Sequence, residues 1–271
     1  MLLLHGLCAN PLELQPVGRA LYQSGCTVHS PLLHGMGVDA LALRHGWQPT
    51  PCEDWIDEAG AHLATLAATH ERVAVVGLCL GAVLALALAQ RHALDAVVLI
   101  SPTLFFDGWN VSRWRRLLPL AYLPGLRSRL SFAERAPYGI KNPRLQKWVS
   151  QTMASDGLCA VGAARLPAAS LYQAQRLIRR VRPALPQVHA PTLVMHATED
   201  DVASPRSVHV IAQQLGRPPE VAWFNDSYHM LTLDNERAAV CARACRFLQA
   251  QLGGAPEAAP TLSPPDLETL A

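Results

Sequence analysis

Apolar positions along the chain fall into two patterns: short solid runs and longer stripes with helical spacing. Met1–His5 is a short apolar run that stops at Gly6 and reads as a buried strand. Pro11–Ser24 has helical spacing, with Gly25 placed to end it. Cys26–Ser30 reads as the next strand. Over Glu53–His70, residues Trp55, Ile56, Ala59, Leu63, Leu66 and Ala67 share one helical face. Val73–Val76 and Ala96–Ser101 are aliphatic runs that suit buried strands. Between them, Ala82–Gln90 is apolar all round, which predicts a helix at the centre of a domain. Pro191–Met195 and Glu220–Phe224 add strands, and Pro205–Leu215 and Asp234–Leu252 add helices. Strands alternating with helices predict an α/β fold whose mostly parallel sheet is covered on both faces.

The alternation breaks between residues 103 and about 185, where no clear strand is visible. Between Thr103 and Lys147 there are nine basic residues against two acidic ones, a local +7 in a chain whose net charge is +2. This segment predicts a mainly helical cap inserted after the strand ending near Ser101. The division is then a core of 1–102 and 186–252 and a cap of 103–185. The tail, 253–271, is Gly, Ala, Pro, Ser, Thr and acid, a composition that predicts disorder.

Composition narrows the function. A chain of 271 residues, half of them hydrophobic, can bury one large core with an insertion. No basic stripe interleaves with aromatics, so nucleic acid is not an expected partner. Val73–Ala89 is uncharged for 17 residues. A membrane span needs about 20, and Gly77 and Gly81 interrupt this run, so no integral membrane segment is expected. The start lacks the charged region and length of a signal peptide. The seven cysteines are irregularly spaced with no CxxC pair, which argues against a zinc knuckle or a dithiol site. A reducing, cytoplasmic location is expected. No metal set and no phosphate loop is visible, and no cofactor is expected.

Four short stretches carry chemistry. Gly77-Leu78-Cys79-Leu80-Gly81 lies between a strand pattern and a helix pattern. His196-Ala197-Thr198-Glu199-Asp200-Asp201 follows a strand and leads to Pro205. Asp226-Ser227-Tyr228-His229 lies between the last strand and the last helix. His5-Gly6-Leu7 follows the first strand. In this order they resemble the α/β-hydrolase superfamily, whose elbow is Gly-x-Ser-x-Gly with cysteine as a variant. Asp54-Trp55, Pro137-Tyr138-Gly139 and Leu231-Thr232-Leu233-Asp234 look like its bacterial carboxylesterase and monoacylglycerol-lipase branch.

The resemblance implies a nucleophile at Cys79, a general base at His229 and an acid at Asp200, with Asp201 as the alternative. It implies oxyanion donors in the backbone N–H groups of Leu7 and Leu80, with Gly77 and Gly81 giving the turn its room. His5 is read as ordering its turn, His196 as a strand-end residue and Cys8 as packing. The chain begins almost on the oxyanion strand. Either leading strands of the usual sheet are absent or the start lies upstream.

The implied activity is hydrolysis of carboxylic esters or thioesters through an acyl-enzyme. Dienelactone hydrolases and polyhydroxyalkanoate synthases of the same superfamily use a cysteine elbow. Acyl transfer from coenzyme A or an acyl carrier protein is therefore the second reading. A non-catalytic binding protein is the third. The cap arginines, with Arg176, Arg179, Arg180 and Arg182, read as a solvated face or as a field that steers an anionic substrate or carrier.

Overall fold

The computed structural model describes residues 1–39, 47–112, 117–156, 158–159 and 162–253. The disorder expected of the tail and the arginines at 113, 115 and 116 lie outside the described residues, apart from Gly253. Five strands form a parallel sheet: β1 (Leu2–Leu4), β2 (Ala74–Leu78), β3 (Ala96–Ile100), β8 (Thr192–Ala197) and β9 (Glu220–Phe224), in the order β1-β2-β3-β8-β9. The register aligns Leu3 with Val76, Val76 with Val98, and Leu99 with Val194. Alternate residues supply the two faces, as the pleat requires. Leu4, Val75, Val97, Leu99 and Val194 meet α2 (Cys52–Ala67) and α3 (Leu80–Ala89) on one side. Leu3, Val76, Val98, Ile100 and Met195 meet α1 (Gln15–Gln23) and α8 (Arg237–Leu252) on the other. All ten residues of α3 are buried, so Val73–Ala89 is a strand, a turn and a buried helix. Among the described residues no helix is long and apolar enough to cross a membrane.

Two expectations need correction. Cys26–Ser30 is not a strand: only His29 pairs, with Leu2. Its N–H donates to the Met1 carbonyl at 2.9 Å and its carbonyl accepts from Leu3 N–H at 2.8 Å. Pro31 follows closely and has no N–H to continue the ladder. The inserted segment does contain strands. Beside α4 (Leu118–Ala121), α5 (Pro143–Asp156) and α6 (Ala168–Val181) there are two antiparallel pairs. They are β4 (Ser131–Ala133) with β7 (Arg165–Pro167), and β5 (Leu158–Cys159) with β6 (Gly162–Ala163). Strands of two or three residues are too short for an alternation to be read.

Helix α6 turns Ala174, Leu177 and Ile178 into the same apolar cluster as α2 and α3. Arg176 and Arg180 reach Glu53 on α2 at 2.8 and 3.6 Å, and Arg182 lies 4.6 Å over the Phe105 ring. These arginines fasten the flank of the sheet. Helix α7 (Arg206–Gln214) completes the layer beside β9.

Candidate active site

The parallel sheet brings the carboxyl ends of β1, β2, β3, β8 and β9 to one edge, where ligands of open α/β sheets bind. At the end of β2 the chain turns directly into α3 through Cys79, at φ 56° and ψ −115°. A non-glycine residue there is strained, and such strain clusters at functional sites. The turn is held by Cys79 N–H donating to the Ile100 carbonyl at 2.9 Å. Its flanks must be glycine. A Cβ on Gly77 would strike the Gly81 carbonyl, and one on Gly81 would strike the Leu4 carbonyl.

The loops after β8 and β9 bring Asp200 and His229 together. Nδ1 of His229 lies 2.8 Å from Asp200 Oδ2 and 3.0 Å from Oδ1. Asp200 is anchored by N–H groups of Val202 and Ala203, each donating to Oδ1 at 2.8 Å. Asp201 faces elsewhere. Its carboxylate accepts from the backbone N–H of Gly139 at 3.1 Å and of His229 at 3.4 Å. The side-chain partner of His229 is therefore Asp200, while Asp201 holds the loop that carries the histidine. The other imidazole nitrogen, Nε2, has no hydrogen-bond partner among the described residues.

Burial works against charge at all three groups, and their mutual attraction outweighs it. Burial alone would push the Cys79 thiol up. The His229 charge, with the Thr103 hydroxyl and the Leu80 N–H, instead holds it below an ordinary thiol. His229 is held well above an ordinary histidine by Asp200 and Cys79 in spite of its burial. Asp200 sits below an ordinary carboxylate, its burial outweighed chiefly by His229. Each member of the pair is shifted toward its charged form.

The first loop completes the edge. Leu33 N–H donates to His5 Nε2 at 3.0 Å, so Nδ1 carries the proton and donates to the Gly6 carbonyl at 2.8 Å. Burial lowers the His5 pKa to about 4, which keeps this brace neutral. Gly6 N–H donates to Glu13. Leu7 N–H makes no hydrogen bond among the described residues. Cys8 is buried and its thiol is pushed up to about 12, chiefly by that burial, so it is inert packing. His196 is a neutral, buried strand-end residue. Its Nε2 donates to the Ala203 carbonyl at 2.9 Å, and burial lowers its pKa.

Three positioning groups were not found in the sequence, and a fourth, Asp234, stood there only as the end of the Leu231–Asp234 stretch. Ser101, at φ 46°, donates its hydroxyl to the His229 carbonyl at 2.7 Å. Thr103 donates to the Ser101 carbonyl at 3.2 Å and lies 3.5 Å from Cys79 Sγ. Asp234 accepts from the N–H groups of Tyr228, Lys141 and Asn142 at 2.9, 2.6 and 3.0 Å, tying the inserted segment to the histidine loop. Nothing in the sequence marks Ser101 or Thr103 beyond their place after a buried strand. Glu13 left a faint signal, an acid four residues before buried Val17 on the apolar stripe. It is almost fully buried beside the turn, and burial raises its pKa well above an ordinary carboxylate.

Cys79 and His229 open into a cavity of about 720 Å³. Its walls are mostly apolar, with Phe106, Leu118, Tyr122, Phe132, Met153, Leu166 and Leu171 among them. Glu134 adds a carboxyl that burial, reinforced by Asp201, pushes up to about 7. Among the described residues no cluster of side chains could hold a metal ion.

Sheet order, flanking helices and the turn after β2 define an α/β-hydrolase fold. The Hydrolase_4 family model, described as serine aminopeptidase, S33, matches residues 1–236, and the chain belongs to this family. It is 27% identical to a carboxylesterase of Bacillus subtilis (strain 168) over 251 residues, 92% of each chain. It is 23% identical to a thermostable monoacylglycerol lipase of Bacillus sp. (strain H-257), across 93% of this chain and 91% of that one. Among solved structures, one from a study of the lipolytic enzymes LipS and LipT superposes with a TM-score of 0.75 at 21% identity, over 92% of each chain. The monoacylglycerol lipase of Paleococcus ferrophilus gives 0.71 at 18%, over 92% of this chain and 93% of that one. The family is described by a serine. This chain carries Cys79 at its turn.

Proposed function

We propose that the chain hydrolyses carboxylic esters or thioesters through an acyl-enzyme on Cys79, with His229 and Asp200 completing the triad. The observation that carries this reading is the His229 ring, fastened to Asp200 at 2.8 Å and coupled in charge to the thiol of the strained turn. The Cys79 thiolate attacks the acyl carbon, and the carbonyl electrons move to oxygen, where the N–H groups of Leu7 and Leu80 receive the charge. Collapse breaks the bond to the leaving group, which takes the His229 proton. A water then loses a proton to His229 as it attacks the thioester. The second collapse releases the acid and restores the ion pair. Asp200 holds the tautomer throughout.

The inserted segment, 103–185, is read as a cap whose apolar wall receives the acyl chain. The cysteine favours one further reading, acyl transfer, because a thioester acyl-enzyme passes its acyl group to many acceptors. The donor would then be a coenzyme A or carrier-protein thioester. The test is product analysis with nitrophenyl esters of graded chain length, with and without an added alcohol or amine. Free acid at every acceptor concentration is the expected result. An acylated acceptor as main product would move the chain to transfer. No turnover at any chain length would contradict both readings.

A further inference from the structure

The carboxyl side chains that line the cavity are those of Glu13, Glu134 and Asp201. The first and last are engaged. Glu13 accepts from the Gly6 N–H, and Asp201 from the N–H groups of Gly139 and His229. Glu134 lies one residue past β4, and only its backbone is fixed, its N–H donating to the Ala164 carbonyl at 2.9 Å. Among the described residues no hydrogen bond and no ion pair reaches its carboxyl.

The unengaged carboxyl is close to the chemistry. It lies within electrostatic reach of Cys8, Asp201 and His229, which stand on three different loops of the floor. Little nearby balances it. His229 is paired with Asp200 at 2.8 Å, Arg165 on the facing strand donates to the Ser131 hydroxyl, and Arg135 is exposed. An anion that enters this mostly apolar space gives up its water and meets a carboxylate of its own sign.

We propose that Glu134 sets the charge selectivity of the cavity: it turns away carboxylates, so that acyl groups without an acid are taken and the acid product is expelled. The use in turnover rests on the hydrolase reading. Hydrolysis of a neutral ester leaves an anion where an uncharged group lay, and only the anion is repelled. The substrate class is then an ester or thioester whose acyl chain bears no carboxylate.

The effect should follow pH. Burial, reinforced by Asp201 and opposed by His229, lifts the Glu134 pKa to about 7. Its charge appears as pH rises through that value, so exclusion strengthens in the same direction. The Cys8 thiol, pushed up to about 12, stays neutral there. Asp201 and Glu13 are also raised by burial, and His229 is held well above an ordinary histidine. Removing the Glu134 charge alone separates it from these groups.

The test is calorimetric titration of the full chain with decanoate and with decanamide, at about pH 6 and about pH 8. Free decanoate is ionised at both, since a carboxyl titrates at about 4. Wild type should bind decanoate at least about tenfold more weakly at the higher pH and decanamide equally at both. Glu134→Gln keeps the shape and loses the charge, so its decanoate affinity should change less than about twofold with pH. Decanamide bound as tightly as by wild type would show that the variant's cavity is intact. A flat wild-type profile, a glutamine variant that keeps the wild-type dependence, or decanoate bound by neither protein would overturn the proposal. Turnover of a neutral nitrophenyl ester by the same wild-type preparation tests the hydrolase reading separately, and would leave it standing if the binding proved unselective.

Discussion

The floor and the roof of the cavity hold their side chains differently. On the floor, Cys79, Asp200 and His229 stand at strand ends, and hydrogen bonds hold the loops that carry Asp200 and His229. Ser101 holds the His229 carbonyl, Asp201 its N–H, and Val202 and Ala203 hold Asp200. On the roof, strands of two or three residues and a run of turns leave leucines facing water. The floor is over-determined, and such sites can carry strain and perturbed charge. The roof meets the floor through Gly139 to Asp201 and through Lys141 and Asn142 to Asp234, while α6 packs it against the flank of the sheet. Substitutions on the floor should act on the chemical step, and those on the roof on access and selectivity.

The largest effect should come from His229→Ala, a loss on the order of 10⁴-fold or more in kcat without unfolding. Steady-state kinetics and a thermal melt check both halves. Activity near wild type would remove His229 from the account. Asp200→Asn should cost about 10⁴-fold. Asp201→Asn keeps an acceptor for the His229 N–H and should cost less than about tenfold. Equal losses would erase the distinction drawn between the two acids.

Next comes the charge of the thiol. In spite of burial, Cys79 is held below an ordinary thiol and His229 above an ordinary histidine by their mutual attraction, so thiolate should persist to lower pH than in a thiol without that partner. The iodoacetamide alkylation rate should therefore fall off at a lower pH than for an unperturbed thiol of about 8.5. In His229→Ala burial acts without its counter-charge, so the thiolate becomes scarcer and the neutral-pH rate should fall. Identical profiles would mean that the histidine does not bear on the sulfur.

Glu13 should give a smaller, graded effect. Glu13→Ala leaves the Gly6 N–H buried without an acceptor and frees the loop bearing Leu7, so kcat should fall about tenfold with little change in KM. Glu13→Gln keeps the acceptor and should stay within about threefold of wild type. A glutamine variant as poor as the alanine would point to a different role for this acid. The smallest effect belongs to the roof: Leu126→Ser alone should leave kcat/KM on a soluble ester within about twofold. A larger loss would show that the roof contributes to the chemistry.

The floor was more legible than the roof because it obeys few and local constraints. A strand buried on both faces leaves a solid aliphatic run, and Gly77 and Gly81 mark a turn that tolerates no Cβ. The α/β architecture followed from these, as did the strand-end positions of residues 79, 200 and 229. Choosing between Asp200 and Asp201 required three dimensions, because both adjacent acids reach His229, one its ring and the other its backbone N–H. Ser101 acts on the His229 carbonyl, Thr103 on Cys79 and Asp234 on Lys141 and Asn142, partners distant in sequence that no local pattern joins. The roof's strands span two or three residues, too few repeats of the two-residue alternation to reveal them. Cys26–Ser30 looked like a strand because apolar composition is blind to the proline that stops the ladder.

The claim that Cys79 carries the acyl group is tested most directly by intact-protein mass spectrometry after incubation with a medium-chain nitrophenyl ester. Wild type should gain one acyl mass that decays with time, Cys79→Ala should gain none, and His229→Ala should acylate slowly or not at all. An equal adduct on Cys79→Ala, or turnover by that variant at the wild-type rate, would contradict the account.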